Sequence, residues 1–182
     1  MAIMQTLEVG SVDCVITDPP FSGFGFRPAT YMYTMKPFVV QMARCVSGEK
    51  KRLAMSQSPE RIEALSELLG SGTVVKIPDA FADARGTPAS FVLCHPLETE
   101  GIEPELWKDL PPSTHPNHRD ANKMAMLVKM MTKPGETVLD PFCGSGAIGI
   151  ACVMLRRNFI GIELHADRAE EARMRLDILR SG

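Results

Sequence analysis

Apolar positions along the chain form short solid runs and helically spaced faces, and the two kinds alternate. Val12 to Thr17 is a short apolar run that stops at Asp18-Pro19-Pro20, which predicts a buried strand cut off at its carboxyl end. Ser22 to Lys36, with Gly23, Gly25 and several aromatics, reads as a loop, and Pro37 to Val46 as a helix closed by Gly48. Arg52 to Ser56 is a strand. Ser58 then caps a helix with Pro59 at its first position, an apolar face of Ile62, Leu65, Leu68 and Leu69, and Gly70 just past its end. Thr73 to Ile77 and Ser90 to Cys94 are β-rich runs expected to pair antiparallel. Leu97 to His115 holds Pro104, Pro111 and Pro112 and reads as a loop. The last third predicts a helix over Asn122 to Thr132, a strand over Thr137 to Asp140, a helix over Gly146 to Arg156 and a strand over Phe159 to Glu163. Asp167 is placed to cap the final helix, with Glu170 in capping-box position. Strands alternating with helices indicate an α/β fold with a parallel sheet, whose ligands sit at the carboxyl ends of strands.

Composition narrows this only slightly. The 182 residues suit a single domain, 1–182. A net charge of −2 argues against a nucleic-acid binder that works by bulk charge, and leaves open one that uses a local groove. Cys14, Cys45, Cys94, Cys143 and Cys152 form no CxxC pair and no zinc spacing, so no metal site is expected. They read as reduced core residues of a cytoplasmic protein. The twelve methionines read as adaptable core and His95 as structural. No apolar run is long enough to span a bilayer, and Met1-Ala2-Ile3-Met4-Gln5 lacks the basic-then-apolar layout of a signal peptide, so no membrane partner is expected.

Two motifs carry chemistry. In Thr137-Val-Leu-Asp140-Pro-Phe142-Cys143-Gly144-Ser-Gly146-Ala-Ile-Gly149 a strand ends in an acid, turns through two close glycines and enters a helix. The glycines let backbone approach a ligand, while Ile148, Ala151, Cys152 and Leu155 keep the helix on the sheet. Glu163 ends the next strand, where an acid accepts hydrogen bonds from ribose hydroxyls. An acid beside the turn would repel a pyrophosphate and suits an ammonium group. That favours S-adenosylmethionine (SAM) over a dinucleotide as cofactor.

The second motif is Asp18-Pro19-Pro20-Phe21. An exocyclic amino group of a base is a poor nucleophile, because its lone pair is delocalised into the ring. Acceptors that hold its hydrogens favour a pyramidal nitrogen in the transition state. The Asp18 carboxylate and the Pro19 carbonyl supply such acceptors, Pro19 and Pro20 stiffen the turn, and Phe21 offers a face on which an extruded base can stack.

Taken together, the segments resemble the amino-methyltransferases of DNA. SVDCVITDPPF is similar to their motif IV, VLDPFCGSGAIGIACVMLRRNFIGIEL to motifs I and II, and HPNHRDANKMAMLVKMM to motif X, in the order of the β class. The resemblance is to a small, phage-like member. It implies a Rossmann-like sheet, mostly parallel with one antiparallel hairpin, SAM as methyl donor, DNA as partner, and direct in-line transfer to a flipped base, at N6 of adenine. By position, Asp18, Pro19, Pro20 and Phe21 hold the base. Asp140, Phe142, Cys143, Gly144 and Gly146 line the methionine side of SAM, Glu163 binds the ribose, and His115, Pro116 and Asn117 close over the methionine end.

Three departures from the pattern stand out. The family carries a strand before motif IV, whereas here only Ile3 to Leu7, similar to the helix after that strand, precede Gly10, so the first edge strand is expected to be missing. Arg119-Asp120 stands where motif X carries Lys-Pro. Only 22–36, 78–89 and 97–114 remain to read DNA, so relaxed or very short sequence specificity is expected, and self-pairing into a homodimer with it. Arg27, Tyr31 and Tyr33 are candidates to grip DNA. Lys50-Lys51-Arg52 and Arg156-Arg157 read as solvated turns, with phosphate contact as the alternative, and Trp107 as a packing anchor, with a base wedge as the alternative. The setting expected is the cytoplasm of a bacterium or phage-infected host. Cytosine C5 transfer would need a Pro-Cys pair, which the chain lacks. N4 of cytosine remains open as the target, as does a non-catalytic SAM- or DNA-binding remnant.

Overall fold

A computed structural model describes residues 1–20, 28–48, 52–57, 73–75, 90–94, 110–114 and 119–181. In chain order the elements are α1 (Ala2–Thr6), β1 (Cys14–Thr17), α2 (Pro28–Cys45), β2 (Leu53–Gln57), β3 (Thr73–Val75), β4 (Ser90–Cys94), α3 (Ala121–Met131), β5 (Thr137–Asp140), α4 (Ala147–Met154), β6 (Asn158–Gly161) and α5 (Ala166–Ser181). The six strands form one sheet in the order β3-β4-β2-β1-β5-β6. β2, β1, β5 and β6 run parallel, while β4 lies antiparallel to both β2 and β3. This is the Rossmann-like, mostly parallel sheet with one reversed hairpin that the sequence implies.

The central strands are apolar on both faces because both are covered. Cys14, Ile16, Ala54 and Val138 face one layer, made by Met124, Leu127 and Val128 of α3 and Ile148, Ala151 and Cys152 of α4. Val15, Leu53, Met55 and Leu139, their neighbours along the strands, face the other, made by Met4 of α1 and Met35, Val39 and Met42 of α2. The period of two is why one run of residues serves two cores. Cys14, Cys45 and Cys152 are buried free thiols and Cys143 is half-buried. Among the described residues no helix is long and apolar enough to cross a membrane.

Four readings need correction. α2 begins at Pro28, so residues 28–36 are helix and not recognition loop. Pro28 sits in the first turn, where a missing N–H costs nothing, and Pro37 stands on the exposed side inside the helix, costing one backbone bond. Met35, ahead of Pro37, belongs to the same buried face as Val39 and Met42, and that burial carries the helix through the proline. Asp167 is the second residue of α5 and not its cap, and Glu170 reaches Arg173 at 3.2 Å. Arg52 is no solvated turn: it forks onto Glu136 at 2.8 and 3.0 Å and donates to the Met131 carbonyl at 2.9 Å. Arg157 likewise donates to the carbonyls of Thr132 and Leu155 at 2.7 and 2.6 Å. Both arginines satisfy backbone or carboxylate acceptors at the end of the sheet opposite the glycine turn. The readings of the 58–69 helix, of Lys50 and Lys51, and of Trp107 lie outside the described residues.

Candidate active site

β1 and β5 are neighbours, yet from them the chain continues to β2 on one side and to β6 on the other. Such a switch of direction opens a crevice at the carboxyl ends of the strands. Both chemical motifs end there. Asp18 follows β1, Asp140 is the last residue of β5, and Glu163 lies two residues past β6.

Asp140 is 2% exposed. Its Oδ1 accepts the Thr17 hydroxyl at 2.7 Å and the Phe142 amide at 3.1 Å. Its Oδ2 receives no hydrogen bond among the described residues. Burial pushes the Asp140 carboxyl up to about 7; the Thr17 and Phe142 donors pull the other way, and the Asp18 and Glu163 carboxylates add to the rise. Beyond Asp140 the turn closes with the Gly146 amide on the Cys143 carbonyl at 2.8 Å. Gly146 has φ +86°, and a Cβ built on it would sit 3.2 Å from the Ala172 Cβ, so glycine is required twice over. Gly144 has φ +50° and faces open space, so a ligand can approach its backbone. Its amide donates to Glu163 Oε2 at 3.0 Å, while Glu163 Oε1 accepts the His165 amide at 2.9 Å. Each Glu163 oxygen keeps a lone pair for a further donor. Glu163, Cys143 and Ile162 line a cleft of about 300 Å³ between β6, α5 and α1. The Phe142 ring packs against Phe38, with centroids 5.2 Å apart.

The environment of Asp18 is different. The parallel register that sets Thr17 against Met55 brings Ser56 beside Asp18, and the Ser56 hydroxyl donates to Asp18 Oδ1. The Arg119 guanidinium closes on the same carboxylate, Nε to Oδ2 and Nη2 to Oδ1 at 3.3 Å. Arg119 immediately precedes Asp120, whose carboxylate caps α3 by accepting the Asn122 amide at 2.9 Å. Pro19 is buried and Pro20 exposed. Phe21, His115, Pro116 and Asn117 lie outside the described residues.

The structure thus brings Asp18, Asp140, Gly144, Gly146 and Glu163 to one end of the sheet, and adds Thr17, Ser56 and Arg119, which the sequence reading does not single out as site residues. Arg119 carries a signal in the sequence, as the basic residue where motif X has its lysine. Thr17 and Ser56 carry none, because their partners depend on strand order.

A parallel sheet whose switch point holds an acid, a glycine turn and a second acid on the neighbouring strand defines the Rossmann-like class of α/β proteins. Within it, the chain belongs to the N6/N4 DNA methylase family, whose family model, described as DNA methylase, matches residues 69–174, more than half of the chain. It is 38% identical over 61 residues to the type II methyltransferase M2.MboI of Moraxella bovis, a match covering 34% of this chain and 22% of that relative. The chain therefore aligns with under a quarter of M2.MboI's length. In fold it is similar to the SAM complex of M1.HpyAVI, with TM-score 0.68 and 22% identity over 96% of this chain and 92% of that one. It is also similar to the cytosine-N4-specific PvuII DNA methyltransferase, with TM-score 0.69 and 12% identity over 98% and 86%.

Proposed function

We propose that this protein transfers a methyl group from SAM to an exocyclic amino nitrogen in DNA, with N6 of adenine as the target. The observation that carries the reading is the pair of carboxylates joined through Thr17 across the switch point: Asp140 buried with one oxygen unpartnered among the described residues, Asp18 held in place by Ser56 and Arg119.

The residues present fit the cofactor. An unpartnered buried carboxylate oxygen suits a cation, and Asp140 would take the ammonium of the methionine moiety. Gly144 and Gly146 give the backbone close access beside it, Glu163 has lone pairs for the ribose hydroxyls, and His115, Pro116 and Asn117 are assigned to the methionine end. Bound SAM supplies an electrophilic methyl on a sulfonium, ready for in-line displacement.

The remaining work falls to the other half of the site. Asp18 accepts one hydrogen of the target amino group and the Pro19 carbonyl the second, so the nitrogen lone pair leaves the ring plane and points at the methyl. Transfer would break the methyl–sulfur bond, leaving a neutral thioether, and make the nitrogen cationic; the Asp18 carboxylate would stabilise that charge until the surplus proton leaves to water. The target must be extruded from the duplex, and Phe21 is assigned the stacking face. Arg119 keeps Asp18 in one orientation, which matters because small misplacement is costly in rate.

N4 of cytosine is the second reading. The same two acceptors serve either amine, and the fold is similar to that of a cytosine-N4-specific enzyme. The test is to incubate the protein with methyl-labelled SAM and unmethylated DNA and then separate the nucleosides. Label in N6-methyladenosine, lost in Asp18→Ala, is the expected result. Label in N4-methylcytidine would replace the target, and no label from a folded, SAM-binding protein would overturn the reading.

A further inference from the structure

Residues 110–114, just ahead of the assigned methionine-end residues, have no regular secondary structure, so their backbone groups need partners from elsewhere. α5 provides them from two positions one turn apart, Glu171 and Arg175. Glu171 accepts the Ser113 hydroxyl at 2.7 Å, the Thr114 amide at 2.9 Å and the Thr114 hydroxyl at 3.1 Å. Arg175, 7% exposed, donates to the Pro111 carbonyl from Nε at 3.0 Å and Nη2 at 2.8 Å, and to the Ser145 carbonyl from Nη1 at 2.5 Å. Ser145 is buried between Gly144 and Gly146 of the glycine turn.

A guanidinium buried against two carbonyls is a costly way to fill space; an apolar side chain would pack as well for less desolvation. What it does that an apolar residue cannot is set the separation of two backbone segments through a rigid fork. One is the glycine turn. The other is the 110–114 strap. Burial would raise the Glu171 carboxyl, but Ser113, Thr114 and the Arg175 guanidinium together hold it below its ordinary range, so the strap is fastened to a charged acceptor.

We propose that Glu171 and Arg175 are positioning residues for the cofactor: they clasp the 110–114 strap to the glycine turn and so set the width of the SAM site, without touching SAM. The proposal rests on the reading of the Asp140 turn as the SAM site.

The test is calorimetric titration of the whole protein with SAM, alongside kinetics on DNA. In Glu171→Ala and Arg175→Lys the dissociation constant for SAM should rise about tenfold, on the order of one lost charge-assisted hydrogen bond. kcat at saturating SAM and KM for DNA should stay within about twofold. Ser113→Ala, which leaves α5 intact, should weaken SAM about threefold in the wild-type background and have almost no further effect in Glu171→Ala. It serves as the test if the Arg175 variant fails to fold. Unchanged SAM affinity in folded Glu171→Ala and Ser113→Ala would overturn the clasp. Absence of saturable SAM binding by the wild type would overturn the cofactor reading and the clasp with it.

Discussion

Asp18 and Asp140 end adjacent strands, yet they occupy opposite environments. Asp140 is almost wholly buried and, among the described residues, has only neutral donors, a hydroxyl and an amide, both on one oxygen. Asp18, its side chain 18% exposed, has a guanidinium on both oxygens and a serine besides. On the proposed function, two identical side chains would take two roles through their environments. The carboxylate with a free oxygen among the described residues would receive the cation. The carboxylate held by Arg119 and Ser56 would serve as the acceptor for a neutral amine.

The contrast can be broken from either side. The largest effect is expected at Asp18: Asp18→Ala should cut single-turnover methyl transfer by about 10³-fold or more while leaving the SAM dissociation constant within about twofold. A loss of SAM affinity of comparable size would dissolve the division of labour. Arg119→Ala comes next, with kcat/KM lowered about 10²-fold through misorientation of Asp18, and Arg119→Lys recovering only part because an ammonium lacks the fork.

Asp140 should show itself through pH. In the free protein its carboxyl is neutral below about 7, so binding a cation there must expel a proton. The SAM dissociation constant should therefore rise by about tenfold per unit as pH falls below 7, and Asp140→Asn, weaker overall, should lose that slope. The stability linkage has the opposite sense. A carboxyl raised in the folded state contributes stability that is fully present below about 4 and lost as pH rises through about 7. Denaturation midpoints of the ligand-free protein should accordingly rise on acidification through this window, less so in Asp140→Asn. The smallest effect is expected at Thr17. Thr17→Val removes a donor without changing shape, so the midpoint of the SAM pH profile should move up by about half a unit to one unit.

Much of this division was legible in the sequence. The 137–140 run is a strand over those same residues, and the two glycines, the buried face of α4 and the 73–75 and 90–94 pairing follow from pattern alone. What stayed hidden depends on which strands lie side by side. Thr17 meets Asp140 across 123 residues and Arg119 meets Asp18 across 101, and no local period encodes such distances. α2 was hidden for another reason: its proline mimics a helix start, and the burial of Met35 that overrides it is a tertiary effect. Arg52 and Arg157 look like surface charge until the acceptors they satisfy are in place.

The seam between β1 and β5 has a consequence for how such a protein can be encoded. The β1–β2 half and the β5–β6 half join by lying parallel along one line of backbone bonds, with the Thr17 hydroxyl of the first on Asp140 of the second. The direction of that pairing does not itself depend on which half is translated first. A gene rearranged so that the glycine-turn half precedes the Asp18 half is therefore expected to keep the β1–β5 pairing and the Thr17–Asp140 bond that ends it.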